Sequence, residues 1–354
     1  MKVGIHRDLN GKTNDKIDKY LSILDYNKID FILMDINEVN FWNQIKEIDY
    51  FIFRYSLYDD QKQIANDIIP VIEKYYNVKT FPDSNTCWSY DDKIRETFLL
   101  RNEDNVLVDS WIFYDKKNAI DYSSKLLYPV VFKLKGGSRS QNVILLKNKN
   151  DYKRIIKKIF GSGIYSERMY FKESTVIKDL SVKKIIKETA LRVRRFINDE
   201  ETKFYWTKQK NYILLQKFLP NNTYDTRITT IGDRIFGVRR FIRDGDFRAS
   251  GSGKTDFNYE KVDTRMIEIA YRISKKYQFQ TMAYDFIYDE KKNPKIVEMS
   301  YNYPDMPIEK AEGYWDKDFH FHKSKNCAEY YHLVDLLNLP NLKLPGNLIL
   351  NKNH

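Results

Sequence analysis

The chain has 354 residues and a formal net charge of +11, with 42% hydrophobic and 15% aromatic residues. That apolar content excludes a disordered chain, and the length suffices for two or three subdomains with cores of their own. No apolar run reaches membrane-spanning length, MKVGIH opens like a buried strand and not like a signal peptide, and two cysteines (Cys87, Cys327) build no disulfide framework, so a cytoplasmic protein is expected.

The charge points to anionic partners: nucleic acid, phosphorylated substrates or anionic glycans. Lys and Arg are dispersed, however, with one denser run at 178–210 that includes Arg192, Arg194 and Arg195. A solvated helix face explains that run as well as a binding surface does.

Residues 1–85 alternate strand and helix. KVGIH, DFILMD and DYFIFRY read as strands, and KIDKYLSIL and QIANDIIPVIEKYY carry helical spacing. This is an α/β unit with a largely parallel sheet. A second unit, 86–210, begins with the helix YDDKIRETFLL. The strand VVFKLK, a Gly/Ser turn, the strand NVILLK and the helix NDYKRIIKKIF follow. Residues 161–210 read as helical with a short hairpin.

The third unit, 211–354, returns to strands. YILLQKFL and TRITTI precede a tight turn at Gly232-Asp233 and then RIFGVRRFIR. Met266, Ile269, Ala270, Ile273 and Tyr277 mark one helix face. MAYDFIYD and PKIVEMSY form a hairpin. The tail, 312–354, reads only as an irregular helical cap.

The last hairpin carries the most informative chemistry. With a two-residue loop at Lys291-Lys292, Asp285 and Glu298 sit opposite each other, about 5 Å apart. Two carboxylates that close repel unless a cation lies between them, and carboxylate oxygens suit Mg²⁺ bridging nucleotide phosphates. The alternative is a pair of edge carboxylates pairing with nearby lysines. Lys133 lies inside an apolar strand, where an ammonium must reach a buried anion or snorkel out. GGSRSQNV, 136–143, follows at once, either as a plain hairpin loop or as a flap whose N–H groups close on phosphate. QKFLP, 216–220, is apolar enough to be plain core, or, where the chain leaves its strand, to offer backbone groups to an adenine. Arg227, Arg239, Arg240 and Arg248 gather in one β region. Arg239 and Arg240 face opposite sides, so at most one shares a site with Arg227. Such guanidiniums suit a substrate carboxylate or a developing phosphoryl charge.

From about Pro82 to Pro304 the chain resembles the ATP-grasp superfamily, most closely its ribosomal-S6-glutamate-ligase-like and surface-polysaccharide-associated branches. The supporting motifs are DDK (91–93), PVVFKLKGGSRSQNV (129–143), LLQKFLPNNTYDTRITTIGDRIFGVRRF (214–241), DGDFRASGSG (244–253) and YDFIYDEKKNPKIVEMSY (284–301). Their order and spacing are specific where each alone is not. The resemblance implies an ATP-grasp fold behind a small α/β domain, with ATP and Mg²⁺ (or Mn²⁺) as cofactors. Lys93 and Lys133 would hold phosphates under the loop containing Gly136, Gly137, Ser138 and Ser140. Gln216, Lys217, Phe218 and Leu219 would line the adenine, with Asp225 near the ribose. Asp285, Glu298 and Ser300 would bind metal. Arg227, Arg240 and Arg248, with Ser250, Gly251, Ser252 and Gly253, would face the acceptor.

Two departures stand out. The family usually has Glu-x-Asn at the second metal ligand set, whereas Glu298 is followed by Met299-Ser300, with Asn302 two residues late. Lys217 stands where relatives often have an acidic residue. The EMSY variant, with GYWDKDFHFH downstream, resembles members associated with surface polysaccharide synthesis.

The implied reaction joins a small-molecule carboxylate to an amine through an acylphosphate, with a homodimer as one state found among relatives. Three alternatives compete: phosphotransfer to a small molecule, a nucleotide-binding scaffold without catalysis, and a basic nucleic-acid-binding protein. Dispersed charge and the lack of a recognition motif disfavour the last. His320, His322 and His332 lack a convincing set of further zinc ligands.

FRASGSGKTDF, 247–257, ends like a P-loop. That motif needs glycine five residues before Gly253, where Arg248 stands. The stretch reads instead as a loop for the second substrate.

Overall fold

The computed structural model describes residues 1–7, 13–137, 143–165, 207–242 and 253–348. The expectations placed on Ser138, Ser140, Arg192, Arg194, Arg195, Arg248, Ser250, Gly251 and Ser252 lie outside the described residues, as does most of 161–210.

The first unit is a parallel sheet of β1 (Lys2–His6), β2 (Asp30–Met34), β3 (Tyr50–Ile52) and β4 (Lys79–Phe81), in the order β2-β1-β3-β4. β1 is an apolar run with four of its five residues buried, as expected for a parallel strand covered on both faces. The helix Asp15–Tyr26 starts where the Asn14 side chain accepts from the N–H groups of Lys16 and Ile17, both at 3.1 Å. It buries Ile17, Tyr20, Ile23 and Leu24 against the sheet.

The second unit is antiparallel. It contains β5 (Ser110–Phe113), β6 (Val130–Lys133), β7 (Ile144–Leu146), the short pair β8 (Ile164–Tyr165) and β9 (Lys208–Gln209), and β10 (Ile213–Lys217). Its main sheet runs β5-β10-β6-β7 and packs on the helices Lys116–Tyr122 and Lys149–Ile159 through Ala119, Tyr152, Ile155 and Ile159. β5 was not anticipated: Trp111 and Phe113 are only partly buried, so SWIF lacks a clean alternation.

The third unit holds β11 (Tyr224–Ile231), β12 (Arg234–Phe241), β13 (Thr255–Asp256), β14 (Thr281–Tyr288), β15 (Pro294–Ser300), β16 (Gly313–Trp315) and β17 (Phe321–Lys323). The order is β15-β14-β11-β12-β16-β17, with β13 also on β12. The helix Thr264–Lys276 covers one face with Met266, Ile267, Ala270 and Ile273.

The tail is more ordered than an irregular cap. β16 joins the large sheet through Ile235 opposite Trp315. The helix Ala328–Leu337 then returns to the first unit, where Leu333, Val334 and Leu337 share a core with Val3, Ile5 and Ile17. Aromatic-rich short strands give little periodicity, which is why the hairpin was not visible in the sequence.

The turn between β11 and β12 is the expected Gly232-Asp233, flanked by Ile231 paired with Arg234. Gly232 has φ +57°, and a Cβ there would stand 2.2 Å from Asp335 Oδ2. That carboxylate is held by Arg234 Nη1 at 3.0–3.1 Å. Gly232→Ala is therefore expected to destabilise the fold by about 1–2 kcal/mol, read as a lowered midpoint in urea unfolding.

Candidate active site

Asp285 on β14 and Glu298 on β15 are register partners. The route to that pairing differs from the expected one. The hairpin loop has three residues, Glu290 to Lys292, closed by Lys292 N donating to Asp289 O and Asp289 N to Asn293 O, each at 3.0 Å. Lys292 takes the left-handed conformation, φ 62°. Pairing is then one residue out of step until a bulge at Val297 restores it before Glu298. The bulge coincides with pairing on the outer side of β15, where Ile296 N donates to Val106 O (2.7 Å) and Val108 N to Ile296 O (3.3 Å).

Cations of the chain meet both carboxylates. Arg227 clamps Asp285 with Nε on Oδ1 (2.7 Å) and Nη2 on Oδ2 (2.9 Å), and Arg240 Nη2 reaches Oδ2 at 2.8 Å. Arg240 also forks onto Asp225 at 2.7 and 2.6 Å. Glu298 takes Lys93 Nζ at 3.2 Å. Burial pushes the Asp285 carboxyl up, but Arg227 and Arg240 outweigh it and hold the group well below the usual range. Burial likewise opposes charge on Lys93, where Glu298 and Asp91 prevail and raise its pKa.

Arg227 and Arg240 thus share one carboxylate, while Arg239 turns to the other side, pairs with Asp256 and lies 5.0 Å over the Tyr224 ring. Lys133 Nζ is enclosed and donates to the carbonyl of the bulged Val297 at 3.0 Å. Burial lowers its pKa to about 8, with Glu298 opposing. Lys93 and Lys133 therefore bridge the crevice between the two antiparallel sheets.

Gln216, 5% exposed, faces that crevice beside Lys93, Thr97, Leu107 and Val297, around a cavity of about 10 Å³. That is room for one water. Lys217 instead extends to Glu290 Oε1 at 3.0 Å. Leu219 is buried. Asp225 is engaged by Arg240, which also reaches Asp285, and does not line this cavity.

Gly137 N donates to Asp91 Oδ1 at 2.8 Å and its carbonyl accepts Lys93 Nζ at 2.9 Å, so both backbone polar groups of Gly137 have partners within the chain. Ser300 Oγ donates to Asn302 O at 3.1 Å. Asn302 turns toward the first unit, donating to Tyr55 O (2.9 Å) and accepting from Arg54 Nη2 (3.2 Å). Gly253 has φ +77°, and a Cβ there would meet none of the described residues within 4 Å.

Sequence reasoning missed Glu96. It lies one turn beyond Lys93 on the buried face of the helix Lys93–Leu100, and that spacing was the available signal. One oxygen accepts from Met299 N at 3.2 Å, while Oε1 is buried without a partner. Burial pushes this carboxyl far above its usual range.

Among the described residues no cluster of three or more His, Cys, Asp or Glu forms a metal cage. His320 and His322 are exposed beside Asp316, and His332 is buried between Tyr20 and Tyr303. Two opposed carboxylates nevertheless fit Mg²⁺, which takes few protein ligands and completes its shell with phosphate and water. Three basic side chains now balance those carboxylates.

A sequence profile described as the RimK-like ATP-grasp domain matches residues 167–314. No curated protein sequence matches the chain. Among solved structures, the ADP complex of PurK, N5-carboxyaminoimidazole ribonucleotide synthetase, aligns at 10% identity and TM-score 0.56, over 97% of this chain and 78% of that one. D-alanine–D-alanine ligase from Bacillus anthracis aligns at 12% and 0.51, over 85% and 86%. A RimK-domain ATP-grasp protein from Sphaerobacter thermophilus aligns at 11% and 0.50, over 84% and 90%. At these identities the likeness establishes the fold.

Proposed function

We propose that this chain, which has the ATP-grasp fold and carries a RimK-like ATP-grasp domain, is an ATP-dependent, ADP-forming carboxylate–amine ligase. The observation that carries the reading is the convergence of Lys93 and Lys133 on the crevice beside the opposed Asp285 and Glu298. Buried ammonium groups suit phosphate, and the carboxylate pair suits the metal that accompanies it.

In this reading Lys93 and Lys133 hold phosphate oxygens once the two sheets part enough to admit the nucleotide. Gln216 to Leu219 line the base. Asp285 and Glu298 would hold Mg²⁺, which supplies charge neutralisation for the transferring phosphoryl group. A substrate carboxylate oxygen attacks the γ-phosphorus, and the bond to ADP breaks. The amine then attacks the acyl carbon of the acylphosphate, and phosphate leaves. Arg227 and Arg240 stabilise the developing anion, and the segment around Gly253 faces the acceptor. The chain contributes position and fixed charge, not a covalent nucleophile.

The structural neighbours include a D-alanine–D-alanine ligase and a D-cycloserine synthetase, both consistent with small amino-acid-like substrates here. EMSY and GYWDKDFHFH favour a precursor of a surface polysaccharide. Cytoplasmic placement and a homodimer accompany this reading. None of the described helices is long and apolar enough to cross a membrane.

Protein mixed with Mg·ATP and pools of carboxylates and amines should release ADP and phosphate only when both partners are present. ADP release without phosphate would favour phosphotransfer. Glu298→Gln should lower ADP release by about 100-fold or more with little change in the unfolding midpoint. Its side chain is 37% exposed, and among the described residues its removal takes an ion-pair partner only from Lys93, which keeps Gly137 O as a partner.

A further inference from the structure

We infer that Asp91 and Lys62 are positioning residues for nucleotide binding, a bridge by which the first unit fixes the base of the glycine loop and the ammonium of Lys93. The inference rests on the reading that Lys93 takes phosphate. Asp91 has a left-handed backbone, φ 50°, which is uncommon outside glycine and persists where its surroundings over-determine it. It stands immediately before Asp92, whose carboxylate caps the helix Lys93–Leu100 by accepting from Arg95 N at 3.0 Å. The left-handed residue directs the Asp91 carboxylate away from the helix end, toward two groups at once. Oδ1 accepts from Gly137 N at 2.8 Å, and Oδ2 accepts from Lys62 Nζ at 2.7 Å.

Lys62 belongs to the helix Asp59–Tyr76 of the first unit and also pairs with Asp59 at 2.9 Å. Asp59 in turn accepts from the backbone and hydroxyl of Thr207 at 2.7 and 2.8 Å. On the opposite side, Lys93 Nζ donates to the carbonyl of the same Gly137 whose N–H Asp91 holds. The preceding backbone is also tied down. Lys135 O accepts from Lys93 N at 2.9 Å, and Lys135 N donates to Tyr212 OH at 2.7 Å. A Cβ at Gly136 would stand 3.0 Å from Asp91 Oδ2 and 3.2 Å from Lys62 Nζ, so glycine is what lets the bridge lie against the loop. The result is a continuous polar chain, Asp59–Lys62–Asp91–Gly137–Lys93–Glu298, from the first unit to the proposed phosphate site. Position at Lys93 matters because an ammonium selects phosphate by placement as a point charge.

The test is equilibrium binding of Mg·ATP to the full chain by titration calorimetry, with thermal unfolding measured in parallel. The variants are Lys62→Met, Asp91→Asn, Asp91→Gly and the double Lys62→Met/Asp91→Asn. Asn and Gly both accept the left-handed backbone, so neither substitution strains it. Lys62→Met and Asp91→Asn should each weaken binding about tenfold, the order expected for one charge-assisted hydrogen bond, and the double variant should be no worse than either. Asp91→Gly, which also frees the Gly137 N–H, should be weaker still. In turnover, KM for ATP should rise more than kcat falls. Wild-type binding with unaffected Lys62→Met and Asp91→Asn overturns this inference alone, as do effects of those two that add. A wild-type chain that binds no nucleotide overturns the ligase reading and this inference with it.

Discussion

Asp285→Ala is expected to lose about 3 kcal/mol of stability together with all measurable ADP release. The carboxylate is buried and accepts from two guanidiniums, three contacts between 2.7 and 2.9 Å. Removing one partner of a buried pair leaves uncompensated charge, typically at a cost of about 3–5 kcal/mol. The lower end applies because Arg240 keeps its fork on Asp225. Asp285→Asn retains one acceptor oxygen and should cost less, about 1–2 kcal/mol. Urea unfolding measures both. The folded-state pKa of Asp285 is depressed, so its contribution is fully present above the ordinary carboxylate range and is lost as pH falls below about 4. The stability gap between wild type and Asp285→Ala should therefore hold from neutral pH to about pH 5 and narrow in stronger acid. A gap constant down to pH 2 would show that the ion pairs do not carry it.

The same residue shows how far the sequence reached. Asp285 and Glu298 face each other as the hairpin argument required, but two deviations cancel: a three-residue loop in place of two, and a bulge at Val297. The loop type depends on Lys292 adopting a positive φ, which nothing in DEKKNP demands. The bulge coincides with contact to residues 106–108, far away in sequence. Strand alternation showed that at most one of Arg239 and Arg240 could share a site with Arg227, and the family resemblance pointed to Arg240. Their commitment to Asp285 was not legible, since it depends on the lateral order β14-β11-β12. Lys133 was legible as a buried cation, and its acceptor, the carbonyl of the bulge, was not. Glu96 went unread because a single acid in a helix of mixed polarity looks solvated until the helix is placed beneath two sheets. His332, grouped by type with His320 and His322, lies in a separate core, brought there by the returning C-terminal helix.

That return also creates the second large expected effect. Arg54, just past β3, is 3% exposed and donates to Glu329 Oε1 at 2.8 Å, where Glu329 is fully buried on the helix Ala328–Leu337. It also donates to Asn302 Oδ1 at 3.2 Å, and Asp305 lies at 3.6 Å. Lys16 approaches Asp305 at 3.1 Å, and Lys19 approaches Glu329 at 3.7 Å. Arg54 thus holds the first unit against both the C-terminal helix and the segment that follows Ser300. Arg54→Met is expected to cost about 3–5 kcal/mol, because among the described residues Glu329 keeps only the more distant Lys19 as its ion-pair partner. Arg54→Met/Glu329→Met, which replaces the pair by apolar groups, should recover much of that loss, a non-additivity that a double-mutant cycle in urea reads directly. Burial raises the Glu329 pKa even beside Arg54, so the charged acid is disfavoured and protonation relieves it once Arg54 is gone. The deficit of Arg54→Met should then shrink as pH falls from 8 toward 5, whereas the gap expected for Asp285→Ala stays constant from neutral pH to about pH 5. A loss below about 1 kcal/mol would mean that water solvates the cluster and that the apolar core alone joins the units.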